Sequence, residues 1–153
     1  MYFKCFVTLI LMVLTMSVGH CQEQSKEDLD FAVIDSFLTD LDDPSFRADV
    51  ILSKHILIEQ TDTDEGYDYL EASINEIRLN LQSKQLDQIE AIPFHKLPKK
   101  ETRDIDPEGK STSDMYFLFY KGRQMLALYL KNDKIASFTL VSKGNNLAHF
   151  VTY

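Results

Sequence analysis

The stretch "MYFLFYKGRQMLALYLKNDKIASFTLV", residues 115–141, constrains the fold more than any other. It is rich in aromatic and aliphatic residues. Lys121-Gly122 and Asn132-Asp133 punctuate it where two-residue hairpin turns belong. With both turns in place, opposite residues share a face. Tyr116, Leu118, Tyr120, Met125, Ala127, Tyr129, Ala136, Phe138 and Leu140 fall on one side. Phe117, Phe119, Leu126, Leu128 and Leu130 fall on the other, followed by the more mixed Ile135, Ser137, Thr139 and Val141. A sheet with helices on one side alone alternates apolar and polar residues. Here both sides of the first two strands are apolar, so each needs a cover: the sheet curling on itself, the long loop before it, or another subunit. A one-residue slip at a turn would exchange the faces without removing that need.

Upstream the period is helical. In "SKEDLDFAVIDSFLTDLDD", Leu29, Val33, Phe37 and Leu41 recur at helical spacing, with Ile34 and Leu38 beside them. Ser25 and Asp28 form a capping-box pattern at its start. Asp43 before Pro44 predicts a second cap with proline at the first helical position. A short helix, "PSFRADVILS", should follow and give way to a strand, "HILIEQ". In "TDTDEGYDYLEASINEIRLNLQSK", Tyr67, Leu70, Ile74, Ile77 and Leu81 mark a long one-sided helix, with Asp62 and Glu65 as its capping box.

After Lys84 the period changes to two. "LDQIEAIPFHKL" predicts a strand, which Pro93 places at an edge or bulge. Residues 98–114 are polar throughout with one aliphatic side chain, Ile105, a length at which a loop is mobile or functional. Strands "KIASFTLVSK" and "LAHFVTY", joined by "GNN", complete an antiparallel meander.

The N-terminus carries an address. Lys4 precedes the apolar run Phe6 to Met16, which is followed by compact residues, the form of a secretory signal. The run is short for a membrane-spanning helix, so no span is expected once the signal is removed. Cleavage fits after Gly19 or after Cys21, and Cys21 is the preferred position. A lipoprotein anchored through Cys21 is the alternative, but His20 suits that cleavage poorly. The expected organisation is a signal peptide, residues 1–21, and one domain, residues 22–153, in an exported protein, periplasmic or secreted.

Both cysteines, Cys5 and Cys21, fall in the signal, so the mature domain has no thiol for a disulfide or a cysteine metal site. It is long enough for one core without such a staple. The formal charge of −8 argues against nucleic acid, since an acidic chain repels phosphate backbones. "DIDPEGKSTSD" superficially has the acid spacing of a calcium loop, but Met115 occupies the place of the bidentate glutamate. Gly66, Gly109, Gly122 and Gly144 are too dispersed for a phosphate-cradling loop. No Gly-x-Ser-x-Gly turn and no His-Glu-x-x-His pair occurs. No metal or cofactor is expected.

Helices first, one early strand, a long amphipathic helix, then a run of antiparallel strands: this order resembles the nuclear-transport-factor-like roll of the cystatin-like group. The residues that carry the resemblance are "FAVIDSFLTDLDDPSFRADVILSKHILIEQ", the Tyr67–Leu81 stripe and the 115–141 meander. It implies an α+β fold with N-terminal helices packed on a curved antiparallel sheet, a cone-shaped roll. Many members dimerise through the outer sheet face, which would cover the second apolar side. The group includes isomerases, dehydratases, transport adaptors and small exported bacterial domains, and fold does not choose among them.

Pocket candidates follow from local chemistry. His95 and His149, on predicted strands, could stand beside Tyr116, Tyr120 or Tyr129 and shuttle a proton or grip a polar ligand. The plainer reading makes the tyrosines packing aromatics and the histidines strand residues at a sheet margin. The expected function is therefore a non-catalytic binding module, for a small molecule in the cone or for a partner protein on the apolar face. The alternative is a cofactor-free proton-transfer enzyme of the isomerase or dehydratase type.

Overall fold

The computed structural model describes residues 26–60 and 63–153. The expected signal peptide, the expected Ser25 cap and Asp62 of the second expected capping box lie outside the described residues. Helix α1 covers residues 26–42, α2 Ala48–His55, α3 Asp64–Leu81 and α4 the single turn Lys99–Thr102. Strands β1 (Ile89–Pro93), β2 (Met115–Tyr120), β3 (Arg123–Lys131) and β4 (Lys134–Ser137) form one antiparallel sheet in sequence order. Strands β5 (Leu140–Gly144) and β6 (Leu147–Phe150) form a separate hairpin. The fold is α+β, with the larger helices ahead of the strands. No helix among the described residues is long and apolar enough to cross a membrane.

The α1 stripe is Ile34, Phe37, Leu38 and Leu41, all buried, whereas Leu29 is 58% exposed. The α2 start differs from expectation. Asp43 Oδ1 accepts from the Ser45 amide at 2.8 Å, and the Phe46 amide donates back to the Asp43 carbonyl. Pro44 therefore sits in a turn closed by its neighbour's side chain, and α2 begins only after Arg47, which makes no side-chain cap. The expected strand at "HILIEQ" is also absent. His55 completes α2, and Ile56 makes a single parallel bridge to Ile135. The chain then runs beside β4 to Glu59, whose amide reaches the Tyr153 carbonyl. Helix α3 is capped by Thr63, whose hydroxyl accepts from the Gly66 amide.

Strand β1 is an edge strand that ends on Pro93, as a residue without an N–H requires. His95, expected on that strand, lies beyond it in a 3-10 turn, Phe94–Lys96, and is exposed. The two named hairpin turns form as expected. Lys121, Gly122, Asn132 and Asp133 all have positive φ, the conformation whose twist suits a two-residue connection.

The face assignment needs correction. Register runs Leu118↔Leu126 and then Phe119↔Gln124, so Met125 is an extra, bulged residue. Beyond the bulge the faces exchange. Tyr116 and Leu118 share the helix side with Leu128, Leu130 and Ile135. Met115, Phe117, Ala127, Tyr129 and Ala136 share the other. The expected single strand "KIASFTLVSK" breaks at Phe138-Thr139. There the Ser137 hydroxyl accepts from the Thr139 amide and donates to the Thr139 carbonyl, a local knot that competes with the ladder.

That break lets β5–β6 turn over the second face. Phe150 meets Phe117 and Tyr129 with ring centroids 6.2 and 6.1 Å apart, and Phe94 meets Phe117 at 6.3 Å. Leu97 and Ile105 from the polar 98–114 region and its approach complete the cover. Ile105 bridges Ala148, and the Asp106 amide donates to the Ala148 carbonyl at 2.8 Å. Both sides of the sheet are thus shielded within one chain, and the second apolar face needs no second copy.

Candidate functional site

The five pocket candidates do not converge. Tyr116 is buried on the helix side, edge-on to Phe31, and its hydroxyl donates to Asp30 Oδ2 at 2.7 Å. Tyr129 is buried on the opposite side against Phe150. Tyr120 closes β2, half-buried, with the ammonium groups of Lys84 and Lys121 over its ring. His149 lies on β6 with Nδ1 2.6 Å from Glu108 Oε2, and His95 is in its exposed turn.

The polar clusters are committed to holding segments together. Asp30 is 5% exposed and takes Lys26 Nζ at 2.7 Å as well as Tyr116. Burial first, then the Asp30 carboxylate, pushes the Tyr116 hydroxyl's pKa far up, so it stays a donor. Asp40 Oδ2 takes both His55 Nε2 at 2.6 Å and Lys54 Nζ at 2.7 Å, tying α1 to α2. Burial alone would raise the Asp40 pKa, but these hydrogen bonds outweigh it and hold the carboxyl below its usual range. In the "DIDPEG" turn, Asp106 and Glu108 face Lys143, and His149 adds a second partner for Glu108. Hydrogen bonds from Lys143 and then His149 bring Glu108 down to about 2. These acids meet Lys143 and His149 of the β5–β6 hairpin and latch the loop to it.

Between helices and sheet the interior is filled. Ile34, Phe37, Ile51, Leu70 and Ile74 close on Tyr116, Leu118, Leu128 and Ile135. Among the described residues, three grooves open at the margins. The smallest, about 100 Å³, is lined by Lys26, Asp30 and the β3–β4 turn. A second, about 360 Å³, runs between α2 and α3 beside residues 56–58.

The third groove, about 290 Å³, runs between α3 and the sheet. Its floor is Met125, Leu126, Phe138 and Leu140. The bulge builds this floor: the extra residue turns Met125 and its neighbour Leu126 to the helix side together, both packed against the main core. Its wall is one flank of α3, where Tyr69, Ser73, Glu76 and Asn80 succeed one another at helical spacing beside Ile77. Tyr69 is 57% exposed. Thr139, in the strand break, supplies a further hydroxyl. An apolar floor with a few polar groups along one wall is the usual make-up of a small-molecule site.

None of His95, Tyr116, Tyr120, Tyr129 or His149 lines this groove. The sequence reading missed Tyr69, Ser73, Glu76 and Met125. The α3 residues flank its apolar stripe and carry no motif. Met125 faces the groove because of a bulge that no local residue announces. Comparison of the chain with protein-family models, with curated proteins and with solved structures finds no match to any of them.

Proposed function

We propose that this chain is an exported, non-catalytic binding module that holds a small, partly apolar molecule in the groove between α3 and the sheet. The observation that supports it most is the groove floor: three partly exposed apolar side chains, Met125, Leu126 and Leu140, two of them delivered by one bulge, over the buried Phe138 and beside a filled interior. The N-terminal apolar run after Lys4 supports export, and the order of elements supports kinship with the nuclear-transport-factor-like roll. The alternative, cofactor-free proton transfer, calls for an acid–base pair facing open space. His95 and His149 stand on separate elements and line none of the three grooves. The second-face dimer loses its motive, since residues 94–105 and the β5–β6 hairpin occupy that face.

Native mass spectrometry of the protein recovered from an exporting host tests the reading. A small-molecule adduct is expected on the wild type and absent from Ser73→Arg, which fills the groove from an exposed helix flank. Bare protein in both, or an adduct indifferent to the substitution, would count against it.

A further inference from the structure

Helix α3 carries Asp64, Glu65, Asp68, Glu71 and Glu76 against a single base, Arg78. That base is turned away. Its Nε donates to the Leu41 carbonyl at 3.0 Å and its Nη2 to the Phe46 carbonyl at 2.6 Å, so the guanidinium braces the α1–α2 connection. The outward flank of α3 is therefore acidic without local compensation. Glu76 stands on the groove wall, and no Lys, Arg or His lines the groove with it. Among the described residues Glu76 takes part in no ion pair. The other two grooves differ, since Lys26 and Lys131 line one and Lys134 the other.

Charge and shape agree on one occupant. The floor favours a hydrocarbon group, by about 25 cal/mol for each Å² of apolar surface removed from water. The wall offers Glu76 as counter-ion. The groove ends near the carboxyl end of α3, where the helix dipole is negative. An anion would meet uncompensated repulsion there, and a neutral apolar molecule would leave the acid idle.

We infer that the groove selects a hydrophobic cation, an alkyl amine or alkylammonium whose charged head sits at Glu76 and whose tail lies on Met125, Leu126, Phe138 and Leu140. This rests on the binding reading above and adds the ligand's chemical class to it.

Titration calorimetry with three probes of one chain length, octylammonium, octanol and octanoate, each below its aggregation concentration, tests the inference. Octylammonium is expected to bind about twofold to fivefold tighter than octanol, the range of one exposed ion pair. Octanoate should bind weakest. Glu76→Gln, a change on an exposed helix face, should bring octylammonium to the level of octanol and leave octanol unchanged. Ser73→Arg should abolish all three. Equal binding of octylammonium and octanol, insensitive to Glu76→Gln but lost in Ser73→Arg, would overturn the charge selectivity and leave the binding groove standing. Failure of every probe, or binding unaffected by Ser73→Arg, would overturn both.

Discussion

The Tyr116 hydroxyl donates to Asp30 Oδ2 across 2.7 Å, joining the second strand to the first helix inside the core. Tyr116→Phe keeps the ring but strips one donor from a carboxylate that is almost wholly buried. The expected cost is about 1–2 kcal/mol, because a buried acceptor keeps Lys26 but loses its other donor without regaining water. Urea unfolding of the two proteins measures it. An unchanged midpoint would mean that water already serves Asp30.

Phe150 is the central plug of the second sheet face, against Phe117 and Tyr129. Phe150→Ala should cost about 3–5 kcal/mol, the range for emptying a buried phenylalanine site. Leu79→Ala, at a side chain 66% exposed on α3, should stay within about 0.5 kcal/mol. Thermal melts of both variants compare them directly. Comparable losses would place Phe150 outside the core.

Acid should loosen the latch between the 104–110 turn and the hairpin. Glu108 is lowered to about 2 from an ordinary 4.5 by Lys143 and His149. A depressed carboxyl pKa contributes stability that is fully present above the unfolded value and lost as pH falls towards the folded one. The urea midpoint should therefore drop between about pH 4.5 and 2. Glu108→Gln should flatten that slope. Asp40 and Asp106, also lowered, leave part of it in place. An identical pH profile in the variant would show that the latch adds nothing.

Gly122 has φ +74° in the β2–β3 turn, with open space where a Cβ would stand. Gly122→Val is a test of backbone strain alone, expected at about 1–2 kcal/mol from forcing a branched side chain into the left-handed region. Asn132→Gly, in the next turn at φ +54°, should be close to neutral. Chemical denaturation separates the two. Equal effects would mean that the turns tolerate strain alike.

Periodicity carried the long elements. The α3 stripe buries Leu70, Ile74 and Leu81 as its spacing implied, and both positive-φ turns sit where Gly, Asn and Asp marked them. What escaped was set by single side chains acting on the backbone. Asp43 closes a turn that delays α2, Ser137 ties the knot that splits a strand, and Met125 is one residue too many for its partner strand. The first delays a helix by four residues, the second divides one strand between two sheets, and the third shifts register by one, which reverses faces in a sheet and is enough to scatter a site. The pattern puts His95 and His149 on strands: a proline ends β1 before His95, whereas His149 does lie on β6, where an acid from a distant turn claims it. The groove flank was legible only as polar helix surface, since Glu76 gains meaning from a floor assembled elsewhere in the chain.

The hydrophobic underside of the four-stranded sheet is sealed by segments that come from either end of it, residues 94–105 and 140–150. A nascent chain emerging in order would carry Phe117 and Tyr129 unsheltered until the last hairpin follows. A ribosome stalled before Leu140 would hold a sticky, half-lined ribbon, and a holdase would spare it from aggregation until the closing residues arrive.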